Sequence, residues 1–74
     1  MKNIKSTEYI YDIKAKELKN MPYELAILRK ISAAKELLHK LTSVNWKDRD
    51  DERVGVVYKA VKFNEKLLEE LKEK

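Results

Sequence analysis

The chain has 74 residues, of which 43% are apolar and 41% are charged, and 17 Lys and Arg against 13 Asp and Glu give it a net charge of +4. This length corresponds to one small domain, and the lack of cysteine excludes a disulfide scaffold and Cys-type zinc sites. A single Gly and a single Pro exclude glycine-rich phosphate loops and cannot supply the turns of an all-β sandwich or barrel.

The hydropathy of the chain indicates its cellular location. No apolar stretch reaches the roughly 18 residues of a membrane span, and residues 1–8 lack the apolar centre of a signal peptide. We therefore expect a soluble, cytoplasmic helical protein that has no membrane partner.

The first predicted helix covers residues 7–19, with Ser6 or Thr7 as its N-cap. Its pattern is weak because apolar side chains fall on two opposite faces. The β-branched and aromatic residues at 9–13 also fit an extended strand, so the conformation of the segment from residue 4 to 13 stays open. Residues 15–20 favour a helix, and we predict one.

The second predicted helix covers residues 22 to 41 or 42, with Pro22 in its first turn. Apolar residues recur at helical spacing along one stripe. That stripe consists of Tyr23, Ile27, Ile31, Ala34, Leu38 and Leu41, and Ala26 and Leu37 widen it. Leu25 and Leu28 point to the other side, which is typical of a helix that lies between neighbours.

The third predicted helix covers residues 50–73, and its first turn is acidic, as the helix dipole favours. Its apolar arc spans about half the circumference. One face carries Val54, Val57, Val61, Asn64, Leu68 and Leu71, and the adjoining side carries Val56, Ala60, Phe63 and Leu67. The run from 53 to 58 has strand propensity, but it has no convincing strand to pair with.

These patterns predict an all-α, three-helix domain over residues 1–74. Helices 2 and 3 form a long antiparallel hairpin, each about 30 Å long, and helix 1 packs across or beside them. The core is expected where helices 2 and 3 meet, at Ile27, Ile31, Leu38, Val57, Val61 and Leu68. A short first helix cannot cover the remaining apolar surface, so we predict a dimeric helical bundle.

The single histidine, His39, lies in the sequence Glu36-x-x-His39, a spacing used in di-iron helix bundles. Those sites need two such motifs, and the chain has no second histidine. We therefore predict a surface histidine, no metal site and no cofactor.

Nothing in the sequence indicates an enzyme. The serines Ser6, Ser32 and Ser43 have no motif with a catalytic partner, and paired-carboxylate catalysis needs a pocket that separates two pKa values. We predict neither catalytic residues nor a small-molecule substrate.

A nucleic-acid-binding module is the alternative function. Its candidate residues are Lys14, Lys16, Lys19, Arg29 and Lys30, which lie near several tyrosines in sequence. Bases interleaved with aromatic residues are typical of single-strand binders. Glu8, Asp12, Glu17 and Glu24 cancel most of that charge, so we rank this function second.

Two further residues have more than one interpretation. Asn64 is the one polar residue of the third helix stripe, and it either fixes the register of a helical dimer or lies at the stripe's edge, bonded to solvent or backbone, which we favour. Trp46 either plugs the open end of the bundle beside Val44, which we also favour, or is an exposed anchor for a partner.

The function that these observations favour is a small non-catalytic protein–protein interaction module. It would dock an apolar helical surface on another protein or on a second copy of itself, as accessory, regulatory and inhibitor proteins of phages and other mobile elements do. The candidate interface residues are Leu25, Leu28, Trp46, Val56, Phe63, Asn64 and Leu67.

Overall fold

The structure is a computed structural model that describes residues 6–73, and within that range it is all-helical. Its elements are α1 (Thr7–Tyr11), α2 (Ala15–Lys19), α3 (Tyr23–Thr42) and α4 (Asp51–Lys72). This confirms the all-α class and the pairing of the two long helices, whereas the three-helix count was wrong. No helix among the described residues is both long and apolar enough to cross a membrane.

The predicted helix over residues 7–19 is two helices of five residues each. Asp12 ends α1 in the left-handed region, with φ 59° and ψ 35°, and its N–H donates to the Glu8 carbonyl at 2.9 Å. Aspartate tolerates this conformation better than most residues. The turn sends Ile13 into the interior, where it is 3% exposed. The strand alternative is wrong for residues 7–11, and residues 4 and 5 lie outside the described range.

The start of α1 agrees with the sequence prediction. Ser6 is its N-cap, and its Oγ accepts a hydrogen bond from the Tyr9 N–H at 3.2 Å. Such a cap satisfies one of the backbone donors that a helix start leaves unpaired.

The buried face of α3 is rotated from the predicted stripe. Its buried residues are Ala26, Ile27, Ala33, Ala34 and Leu37. Tyr23, predicted in the stripe, is 64% exposed, and Ile31 and Leu38 are half-buried. The reason is that α1 also packs on α3, where Tyr11 contacts the cluster that contains Ala34 and Leu37, so α3 is covered on the side of α1 as well as on the side that faces α4.

Helix α4 begins at an Asp50 cap, whose Oδ1 accepts from the Arg53 N–H at 3.1 Å. Val57 and Val61 are buried as predicted and form one cluster with Ala34 and Leu37 of α3. Leu68, predicted to be buried, is half-buried. The cluster therefore lies in the middle of the α3–α4 hairpin, against which Tyr11 also packs.

Arg53 attaches α1 to α4. Its Nε donates to the Tyr9 carbonyl at 2.8 Å and its Nη2 to the Glu8 carbonyl at 3.3 Å. Its guanidinium also lies 5.1 Å from the centre of the Tyr9 ring, within the range of a cation–π contact. One side chain thus satisfies the Tyr9 carbonyl at the end of α1, where a helix leaves acceptors unpaired, and shares the Glu8 carbonyl with the Asp12 N–H.

We expect Arg53→Lys to loosen α1 and to leave the α3–α4 hairpin folded. Lysine keeps the charge but lacks the planar fork that donates to two carbonyls at once. Losing part of this contact, about 1–2 kcal/mol, should speed hydrogen exchange of the Ile10 and Asp12 amides about tenfold. The control is Arg49→Lys, because Arg49 pairs with exposed Asp51 and does not contact α1. Unchanged exchange in Arg53→Lys would show that other contacts hold α1.

Candidate protein-docking groove

The structure spreads the predicted interface residues over separate surfaces. Leu25 and Leu28 are exposed on α3, and Phe63 is exposed on α4, where Val56 and Leu67 are half-buried. Trp46 is exposed in the loop between α3 and α4, beyond the opposite end of α3 from Leu25. Asn64 is buried. Of these candidates, Leu67 lines a concave surface between α3 and α4.

The first part of that concave surface is a hollow between the α1–α2 segment and the N-terminal half of α3. It has a volume of about 450 Å³. Its lining residues are Thr7, Tyr11, Ala15, Leu18, Lys19, Met21, Tyr23, Ala26 and Lys30. No residue of α2 is buried, so this helix serves as an exposed wall rather than as part of the core.

The second part is a hollow of about 500 Å³ between the start of α3 and the end of α4. Its lining residues are Tyr23, Leu67, Glu70, Leu71 and Glu73. Leu67 and Leu71 follow Asn64 at helical spacing, so they continue the face of α4 that α1 covers near Asn64. Because α1 ends at Tyr11, it leaves these last turns uncovered.

Tyr23 lines both hollows, and we name the two hollows together the Tyr23 groove. Its apolar lining is formed by Tyr11, Leu18, Met21, Tyr23, Leu67 and Leu71. Pro22 precedes the start of α3 at Tyr23, so Tyr23 lies in the first turn of that helix. Phe63, one helical turn before Leu67, adds an exposed aromatic ring on the same helix.

The two hollows carry opposite charges. Lys19 and Lys30 line the first hollow, and Glu70 and Glu73 line the second. The ammonium of Lys30 lies 5.7 Å from the centre of the Tyr11 ring. The ion pairs among residues 6–73 are Lys35–Glu65 and Arg49–Asp51, so none of the four groove charges pairs with another described charge.

Asn64 is a buried polar residue that contacts a side chain of the groove lining. It is 1% exposed, and its Nδ2 donates to the Tyr11 hydroxyl at 2.9 Å and to the Ala60 carbonyl at 2.8 Å. Bonding to the neighbouring backbone was expected, whereas a position at the exposed edge of the stripe was wrong. Its Oδ1 is buried and has no protein partner. This amide therefore positions Tyr11, which lines the first hollow.

Tyr9, beside Arg53, faces an acidic helix start. Partial burial raises the pKa of its phenol, and the carboxylates of Asp50 and Glu52 raise that pKa further, against the opposing effect of Arg53. The phenol therefore stays protonated at neutral pH, and it does not supply a charge to this surface.

The predicted plug at Trp46 is wrong. Its side chain is 74% exposed, and Val44 beside it is exposed too. The loop from 43 to 50 is exposed throughout. Trp46 is thus available to a partner but lies outside the Tyr23 groove.

The candidate bases for nucleic-acid binding do not gather on one face. Lys19 and Lys30 line the Tyr23 groove, whereas Arg29 lines a polar cleft together with Asp12 and Glu36. Lys14 and Lys16 are exposed near α2. Among these bases, Arg29 therefore shares its surface with two carboxylates.

His39 is exposed near the end of α3. Its backbone carbonyl accepts from the hydroxyls of Thr42 and Ser43, the latter at 2.6 Å. Over residues 6–73, no three His, Asp or Glu side chains come close enough to hold a metal ion. The Glu36-x-x-His39 spacing is therefore not completed by other described ligands.

Most of the groove was not identified from the sequence as a site. Sequence periodicity places Tyr23 and Leu71 in core stripes, and it gives Leu18 no role. Helical spacing could not find them, because the groove exists only where α1 ends early at Asp12. The usable signal was Tyr23 itself, an aromatic residue directly after the Met21-Pro22 break.

Comparison with known proteins adds no information about the groove. No protein family matches this chain, and neither the curated proteins nor the solved structures give a match to it. The inference of function depends on the geometry and chemistry of the groove.

Proposed function

We propose that the protein is a small non-catalytic interaction module that docks a polypeptide in the Tyr23 groove. The observation that carries this proposal is the depression itself, two adjoining hollows of about 450 and 500 Å³ that meet at one exposed tyrosine. Polypeptide-binding surfaces are typically apolar at the centre and polar at the rim. The groove follows this plan, with Leu67, Leu71 and Met21 inside and charged residues around them.

The groove suits a partner better than the other exposed apolar residues do. Binding energy concentrates at residues that fill concave, desolvated sites, and tyrosine is enriched among them. Leu25 and Leu28 lie on the convex surface of a helix, and Trp46 lies in an exposed polar loop. These residues are secondary candidates that extend a contact made at Tyr23.

Retention of a polypeptide from a cell extract by the tagged protein tests this proposal. The tagged protein is incubated with an extract of its native host to which an untagged second copy has been added. We expect a polypeptide to be retained, and Tyr23→Glu should lower its retention about tenfold because a carboxylate cannot be desolvated in the groove. Glutamate is tolerated in the first turn of a helix, so α3 should stay folded.

The matched control is Leu25→Glu, which places the same charge on an equally open part of α3 outside the groove. It should retain the polypeptide at the wild-type level. Equal loss in both variants, or full retention by Tyr23→Glu, would contradict docking in the groove.

The same preparation tests the nucleic-acid alternative. Phosphate contacts weaken steeply with salt, whereas apolar docking does not. A nucleic-acid complex that survives at about 150 mM salt, and that Lys14→Gln, Lys16→Gln and Lys19→Gln together abolish, would replace the proposed function by the alternative.

A further inference from the structure

We infer that the occupant of the Tyr23 groove is a second copy of this chain, bound in a symmetric dimer. This inference rests on the proposed function and names the partner of the same site. A two-fold dimer uses one surface twice, so each feature of that surface must fit another feature of the same surface. The Tyr23 groove meets this condition in its charge and in the tyrosine at its centre.

The charge of the groove is self-complementary. Lys19 and Lys30 lie on one side of Tyr23, and Glu70 and Glu73 lie on the other. A two-fold axis that runs in the interface past Tyr23, between the two hollows, brings the basic hollow of each copy opposite the acidic hollow of the other. Both pairs of charges are then matched, and complementary charge favours this register over others.

The centre of the same arrangement is aromatic. On the axis, Tyr23 of one copy faces the partner's Tyr23, and offset tyrosine pairs add stabilisation beyond the area they bury. Leu67 and Leu71 border the axis on α4, and Met21 borders it on the other side. The apolar centre and charged rim match the usual anatomy of a dimer interface.

Charge reversal tests the pairing directly. One variant carries Lys19→Glu with Lys30→Glu, and a second carries Glu70→Lys with Glu73→Lys. We expect the wild type, at about 100 µM and so well above a micromolar Kd, to have twice the monomer mass of 8.8 kDa by light scattering. Each variant alone should be monomeric, because like charges then face each other. A one-to-one mixture of the two should restore the dimer.

The control variant is Lys40→Glu with Lys47→Glu, which reverses two exposed charges at the far end of the molecule and should leave the dimer intact. Circular dichroism checks that each variant is helical. Because Lys30 contacts Tyr11, Lys19→Glu alone serves as a second basic-side variant, expected to weaken the dimer and to regain it on mixing.

The possible failures are distinguishable. A monomeric wild type that still retains another polypeptide through Tyr23 overturns self-pairing and leaves the proposed function standing. A dimer that neither reversal weakens overturns the groove as its interface. A monomer that retains no polypeptide overturns both.

Discussion

Ile27→Ala should unfold much of the protein at room temperature. Ile27 is 1% exposed in the second turn of α3, and truncating such a side chain costs about 2–5 kcal/mol through lost burial and a residual cavity. A domain this small gains only a few kcal/mol from its core. Urea titration followed by circular dichroism should therefore show a large fall in the unfolding midpoint, or no folded baseline at all.

Ile31→Ala provides the matched control, because it makes the same chemical change one helical turn later at a half-buried position. Its cost should be clearly smaller. Equal losses at both positions would contradict the rotated buried face of α3, and losses under about 1 kcal/mol at both would mean that this face is not a core at all.

Asn64→Asp should destabilise the protein in a pH-dependent way. The introduced carboxylate would be buried, would face the Ala60 carbonyl and would lack the donors that Nδ2 provides. Burial raises the pKa of such a carboxyl above its unfolded value of about 3.9. Below the unfolded pKa of about 3.9 the carboxyl is neutral in both states and is tolerated. The free energy of unfolding then falls as pH rises from that value through the folded pKa. We expect a loss of about 3 kcal/mol at neutral pH.

The control for this change is Asn64→Leu, which keeps the volume and removes the amide whose Oδ1 has no partner. This change leaves the Tyr11 hydroxyl without its donor, which costs about 1–3 kcal/mol, and that cost does not change with pH because leucine carries no charge. Urea titrations at pH values below 4 and at 7 separate the two variants. An Asn64→Asp variant whose stability does not depend on pH would show that water reaches this position.

The long helices follow from local information in the sequence. Pro22 and Asp50 mark the starts of α3 and α4, and apolar residues at helical spacing mark the faces where they meet. Val57, Val61 and Ile27 were therefore predicted correctly as core residues. These signals depend only on residues within a few helical turns of each other, so they can be recognised in the sequence without a structure.

The position of the first helix could not be predicted in the same way. Its break depends on one left-handed residue, Asp12, and its place depends on Arg53 and Asn64, which are far along the chain. Tertiary contacts of this kind override local propensity. The same contacts rotate the buried face of α3 and leave Tyr23 exposed, so the groove could not be predicted either.

The attachment of α1 has a consequence for the order in which the protein is built. During synthesis the segment that carries Tyr9 and Tyr11 is made early, whereas Arg53 and Asn64 follow 44 and 53 residues later. The α3–α4 hairpin needs only contacts across a short loop, which form quickly, while joining distant segments first costs loop-closure entropy. We therefore expect the first helix of the chain to reach its position last and the Tyr23 groove to be completed only at that step.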